Sequence, residues 1–286
     1  MQLREEVFDC GGGFGSVSVV ENQQPARIAR EPAHDRGKSH LFLASRLLGQ
    51  VQNERASERG DVPTQNVPAS AHQDKSVVYL VDRPGAQQSV VVAGHVAPAR
   101  NTADEIAFET LNTILGGAFT SRVNLNIRED KHWSYGAGTG FQPGRAQRLY
   151  CANAPVQSDK TKETMIELMK EFSEIAGSRP ATPEEMDIAR ESQTLRIPGS
   201  RETSAQVLNS IVDLVNYRLP DDWYNTYSAK VRALTQRDIT AAAEKLIRPG
   251  QLFWVIVGDR AKIEAGIREL NYGEVRIVDA DGNPAQ

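Results

Sequence analysis

The chain has 286 residues, 40% of them hydrophobic and 24% charged, and a formal net charge of -4. This is the composition of an ordinary globular protein, and it gives no reason to expect nucleic acid or an anionic membrane as a main partner. Two cysteines, Cys10 and Cys151, argue against a disulfide framework or a cysteine zinc site, and no apolar run reaches the roughly 18–20 residues of a membrane span.

The first residues, Met1 to Val7, have no apolar core of signal-peptide type, so the chain as written carries no export signal. Export to a compartment such as a bacterial periplasm would require a different start. Residues 21–75 are rich in Gln, Arg, Ser, Asn, Ala and Pro. Such a stretch buries too little apolar surface to offset its ordering entropy, and residues 1–75 are expected to be a leader, mostly disordered or fragmentary. The run Leu41-Phe42-Leu43 to Leu47-Leu48 fits one short amphipathic helix. The glycine run after Cys10 is similar to a phosphate-cradling kinase loop. No strand lysine, His-Arg-Asp or Asp-Phe-Gly follows it, which leaves a flexible loop.

The patterning becomes dense at Ser76, and a domain is expected over 76–286. Val77 to Val81 reads as a strand closed by the turn signal Asp82-Arg83-Pro84-Gly85, and Ser89 to Val96 as a second strand. A helix is expected over 102–115, capped by Asn101 or Thr102 and stopped at Gly116, and another over 119–129. Gly116-Gly117 is read as a place where two helices meet closely rather than as an anion nest. Tyr135 to Phe141 and Arg148 to Pro155 form an expected antiparallel pair around Pro143-Gly144.

Helices follow over 158–176, from Pro183, over 201–217 and 221–234, and from Thr235 to Ile247. Thr182-Pro183-Glu184-Glu185 places a cap, a proline and carboxylates at a helix start. Thr235 to Asp238 has the spacing of a capping box. Leu252 to Val257 is a buried strand, 261–270 a last helix, and Val275 to Val278 a closing edge strand. This order is not a regular βαβ alternation. The expected class is therefore α+β: a mixed, mostly antiparallel sheet with helices packed on one face. Asp279 to Asn283 has part of a calcium loop but lacks the terminal glutamate, and is read as a solvated tail.

From Ser76 to Gly282 the chain resembles the second-half domain of the pitrilysin/insulinase family of zinc peptidases. The resemblance rests on landmarks in one order: Tyr79 to Gly85, Gln87-Gln88-Ser89, Asn112 to Arg122, Leu125 to Asp130, Ser134-Tyr135-Gly136, Pro183-Glu184-Glu185, Leu219 to Tyr224, and Val257-Gly258-Asp259. It implies a fold like that of the mitochondrial processing peptidase. The catalytic motif of the family is His-x-x-Glu-His, in which two imidazoles one turn apart bind zinc and the glutamate activates water. The five histidines here, His34, His40, His72, His95 and His132, contain no pair at that spacing. The resemblance therefore implies the metal-free half, inactive alone, with no cofactor in this chain and zinc on a catalytic partner half, either a separate chain or a missing N-terminal part.

That half supplies an arginine and a tyrosine at the spacing of Arg128 and Tyr135, which the resemblance casts as assisting catalytic residues acting across an interface on a peptide substrate. A phenol can donate to the oxyanion of a tetrahedral intermediate, and a guanidinium can hold a carbonyl or carboxylate in a fixed fork. The alternative is a purely structural assembly subunit of the same fold.

Overall fold

The computed structural model describes residues 68–285. The glycine run after Cys10, the apolar segment at 41–48, His34 and His40 lie outside the described residues. Residues 68–76 run without regular structure into the first strand.

Six strands form one sheet in the order β3-β4-β2-β5-β1-β6. They are β1 (Val77–Asp82), β2 (Gln88–Ala97), β3 (Gly138–Phe141), β4 (Arg148–Gln157), β5 (Phe253–Gly258) and β6 (Glu274–Val278). β1 runs parallel to both β5 and β6, while β2–β4, β2–β5 and β3–β4 are antiparallel. The sheet is thus mixed and mostly antiparallel, as expected.

Period-two alternation decides which side chains enter the core. Register aligns Leu80, Ile256, Val91 and Ala154 in one row, and Val78, Trp254, Ala93 and Ala152 in the next. All eight are buried and belong to a single cluster. The alternate residues Val77, Tyr79, Val81, Val92, Val255 and Val257 are only partly buried.

Eight α-helices lie in the described residues, and six of them complete that cluster from the same side. The eight are α1 (Glu105–Asn112), α2 (Arg122–Asn124), α3 (Thr161–Ile175), α4 (Pro183–Gly199), α5 (Ser204–Asn216), α6 (Trp223–Ala233), α7 (Gln236–Leu246) and α8 (Arg260–Glu269). Leu111 of α1, Leu168 and Phe172 of α3, Met186 of α4, Ile239 and Leu246 of α7, and Ile263 and Ile267 of α8 all contribute. Each such side chain adds about 1.5–3 kcal/mol of burial. A second cluster of Ile106, Leu219, Trp223, Tyr227 and Val231 attaches α6 to the outside of α1.

Capping rules account for three of the eight helix starts. Thr182 accepts from the Glu185 N–H while the Glu185 carboxylate accepts from the Thr182 N–H, and Thr235 with Asp238 does the same. A third reciprocal cap, Thr203 with Gln206, opens α5. The first helix departs from expectation: its N-cap position is Asp104, not Asn101 or Thr102, and no side-chain cap bond forms.

Glu105 is the first residue of that helix. It has no exposed surface, and it is paired with Arg148 of β4 and lies 3.8 Å from Arg100. Burial is the largest influence and pushes its carboxyl up to about 7, against the pull of Arg148. The native state therefore holds a proton that the unfolded chain has released above pH 4.5. Stability is fullest below that pH and falls as pH rises toward 7. Comparing urea midpoints of wild type and Glu105→Gln from pH 4 to 8 should isolate this slope. The wild type is expected to lose on the order of 2–3 kcal/mol relative to the variant across that range. Parallel curves would refute the assignment to Glu105.

Candidate functional site

Two π-helical stretches flank the loop at 118–121, and the second carries Arg128. The first, Thr113–Gly117, extends α1; the second, Leu125–Asp130, extends α2. The helices expected over 102–115 and 119–129 are therefore not regular α-helices to their ends. Widened turns of this kind are rare and often lie at functional sites.

Gly116 lies in the first. A methyl group there would overlap the backbone N and side chain of Thr139 on β3. The glycine thus allows a helix to lie against an edge strand. This corrects the expectation that Gly116-Gly117 brings two helices together. Thr139 also donates to Asn112 Oδ1 at 2.7 Å and accepts from the buried Tyr150 hydroxyl at 2.9 Å.

Between the two stretches, residues 118–121 form a loop that is held from beneath. Asn124, 5% exposed, donates from Nδ2 to the Phe119 carbonyl at 2.7 Å. Its Oδ1 accepts from the Ala137 N–H at 3.3 Å. One buried amide thus ties the Phe119 loop to the segment that carries Tyr135. Arg122 fixes the same region to α4. Its Nε and one terminal nitrogen each reach a Glu185 oxygen at 2.6 Å. The rest of its guanidinium donates to the carbonyls of Arg179 and Pro180 at 2.6 and 2.9 Å.

The chain leaves the second π-stretch through His132, which adopts φ of 56°. This left-handed residue turns the backbone sharply; histidine is among the non-glycine residues that tolerate it. The next residues are pinned to β4: the Gln157 N–H donates to the Trp133 carbonyl at 3.2 Å. The Ser134 hydroxyl donates to the Pro155 carbonyl at 2.5 Å and accepts from the Gly136 N–H at 3.0 Å.

Tyr135 therefore does not begin a strand. β3 starts three residues later, at Gly138, because the bonds from Trp133 and Ser134 hold this segment in a bend. Tyr135 is 91% exposed, and its phenol meets no partner among the described residues. Arg128 lies at the end of the preceding turn with its Nε 3.2 Å from Glu129. Its guanidinium sits 4.6 Å from the centre of the exposed Phe119 ring. Both residues singled out from the sequence thus lie on one braced turn, and no hydrogen bond joins them. Asn124, Arg122 and Phe119 were not singled out. An arginine directly after Thr120-Ser121, next to Val123 at a helix start, was the available signal.

The remaining candidates sit elsewhere. His95 is 2% exposed in β2, its ring 5.8 Å from that of Tyr150. Cys151 is buried in β4, as a small hydrophobe would be. Asp279 to Asn283 form an exposed turn in which the Asp279 carboxylate accepts from the N–H groups of Asp281 and Asn283. Among the described residues no group of three or more His, Cys, Asp or Glu could hold a metal ion, and no helix is long and apolar enough to cross a membrane.

A mixed six-stranded sheet with helices on one face defines an α+β domain, whose turn at residues 128–136 carries a cation and an exposed phenol. The sequence model described as "Peptidase M16 inactive domain" matches residues 14–193, and the chain belongs to this family. The pitrilysin/insulinase resemblance is thereby borne out. A peptidase M16 inactive domain from Pseudomonas fluorescens superposes with a TM-score of 0.60 at 23% identity, covering 67% of this chain and 47% of that one. A protease from Helicobacter pylori gives a TM-score of 0.60 at 15% identity, covering 74% and 52%. An inactive peptidase domain from Bordetella parapertussis gives 0.53 at 16% identity, covering 61% of this chain and 94% of that one. The chain spans about half the length of the first two. No curated protein matches the sequence.

Proposed function

We propose that this domain is the non-catalytic half of a zinc metallopeptidase. It walls part of a peptide-binding chamber and lends Arg128 and Tyr135 to a zinc site on a His-x-x-Glu-His half. The observation that carries this reading is the state of Tyr135: 91% exposed, on a turn braced by bonds from Trp133, Ser134 and Gly136. A braced backbone under an unpartnered phenol is preorganised for an external partner, which is what electrostatic stabilisation of a transition state needs.

The zinc on the partner would polarise the carbonyl and supply the activated water. Tyr135 would donate to the carbonyl oxygen as negative charge builds there. Arg128 would hold a second carbonyl or a carboxylate of the peptide, releasing Glu129 to do so. Ionic contact with Glu129 is an exposed pair of little worth, about 0–1 kcal/mol, so the exchange is cheap.

The test is a mixing assay with a His-x-x-Glu-His half from the same source and an internally quenched peptide. Neither half is expected to cleave efficiently alone, and the mixture should cleave at least about a hundredfold faster than either. A partner that is equally active with and without this chain would leave only the structural-subunit role.

A further inference from the structure

Helix α5 buries only part of its apolar side. Ile211 is buried, and Leu214 packs against the cluster of Trp223, Tyr227 and Val231. Arg100 ties the helix to the body of the domain: it donates to Asp213 Oδ2 at 3.0 Å, and its guanidinium lies 4.8 Å from the centre of the Tyr217 ring. The adjoining flank has no cover among the described residues. Leu208, Val212 and Val215 are 52%, 41% and 47% exposed, and their i, i+4, i+7 spacing sets them in one stripe. Single exposed hydrophobics are ordinary, whereas a contiguous apolar patch marks a contact surface.

We propose that this stripe is covered by residues 41–48 of the same chain, packed along α5 as a short helix.

Three observations select that occupant. The first is chemical. On helical spacing Leu41, Ala44, Leu47 and Leu48 share one side, and Arg46 falls on the opposite one. A helix of eight residues is not stable alone in water, so such a segment needs an apolar surface. The stripe from Leu208 to Val215 offers one of the same length in residues.

The second is position. The Ser70 N–H donates to Gln147 Oε1 at 2.6 Å, in the turn that joins β3 to β4. Arg145 of the same turn donates to the Asn216 Oδ1 at 3.0 Å. Asn216 is the last residue of α5 and follows Val215. The described chain therefore begins beside the end of the stripe.

The third is reach. Residues 49–67, mostly polar, separate the segment from Pro68. They can extend to about 60–70 Å, while α5 is only about 20 Å long. The family match, which starts at residue 14, takes in this segment together with the domain.

The experiment uses the full chain carrying Cys10→Ser, so that the buried Cys151 reports unfolding. In this background Val212→Cys should react slowly with a water-soluble maleimide. Adding Leu47→Asp should speed that reaction about tenfold or more as the local cover opens, with Cys151 still unreacted. Without the added cysteine, Leu47→Asp should lower the thermal midpoint by about 4 °C or more. Combining it with Val212→Asp should lower the midpoint little further, since both changes break the same contact. If Leu47→Asp makes Cys151 reactive, Leu47→Ala replaces it and should speed labelling about threefold. Rapid labelling of Val212→Cys in the parent background overturns the proposal. Slow labelling that neither Leu47 variant accelerates also overturns it, and sedimentation then shows whether a second copy covers the stripe. Labelling that slows only when a His-x-x-Glu-His half is added overturns it as well, and assigns the stripe to that partner.

Discussion

Tyr135→Phe is expected to lower kcat/KM of the reconstituted peptidase by about 10²- to 10³-fold, the size of effect seen on removing one oxyanion donor. That is about 2.7–4 kcal/mol of transition-state stabilisation. The substitution deletes one oxygen and leaves the ring, the backbone and every bond around Ser134 in place. A donor used only as charge develops should show its loss in kcat, with KM nearly unchanged. Arg128→Ala should behave differently. A group that holds the peptide in both ground and transition states raises KM when removed. Neither variant should unfold more easily than wild type: Tyr135 is 91% exposed, and the pair of Arg128 with Glu129 is exposed on both sides. Steady-state kinetics with thermal melts of each variant measure both halves of this claim. An unchanged kcat in Tyr135→Phe would rule out the oxyanion role.

The second large effect concerns stability. Arg122→Met should destabilise the domain by about 3–5 kcal/mol, the cost of breaking a buried ion pair from one side. Arg122 is 7% exposed and satisfies both Glu185 oxygens and the carbonyls of Arg179 and Pro180. Without it, Glu185 remains partly buried with only the Thr182 N–H bonded to it and Arg179 nearby. Burial pushes that carboxyl up, but the bonds from Arg122 and the Thr182 N–H outweigh burial and hold it below the usual range. A depressed native pKa stabilises above the unfolded value, and the benefit is lost as pH falls through the native one. The Arg122 variant should therefore be penalised most near neutrality and least in acid, the opposite of the Glu105 slope. Urea denaturation at pH 7 and pH 4 tests both the size and the trend.

Much of the fold was legible because its signals are local. Valine-rich apolar runs in β1, β2 and β5, and Thr-x-x-acid boxes at Thr182 and Thr235, leave little freedom in where elements lie. The start of β3 was misplaced because Tyr135 and Gly136 have strand-like neighbours, whereas Ser134 and Gln157 hold that backbone in a bend through bonds to distant carbonyls. The π-helical stretches were equally invisible; the first lies where Gly116 approaches Thr139, 23 residues away in sequence. At the site, Arg128 and Tyr135 could be singled out because they are chemically unusual side chains at a recognisable spacing. Arg122 and Asn124 were passed over because their importance lies entirely in what they touch, Glu185 in one case and the Phe119 carbonyl in the other.

The contrast between Arg122 and Tyr135 has a consequence for descent. Arg122, Glu185 and Thr182 share one carboxylate, so losing any one strands another, and drift at these positions is penalised whether or not the domain assists in catalysis. The fold leans little on the Tyr135 phenol or on Arg128, whose side chain makes one ion pair and one ring contact. A lineage that abandoned peptide cleavage could discard both at small thermodynamic cost while keeping the Arg122 trio intact. Across related chains, the first pair should therefore record activity and the second only architecture.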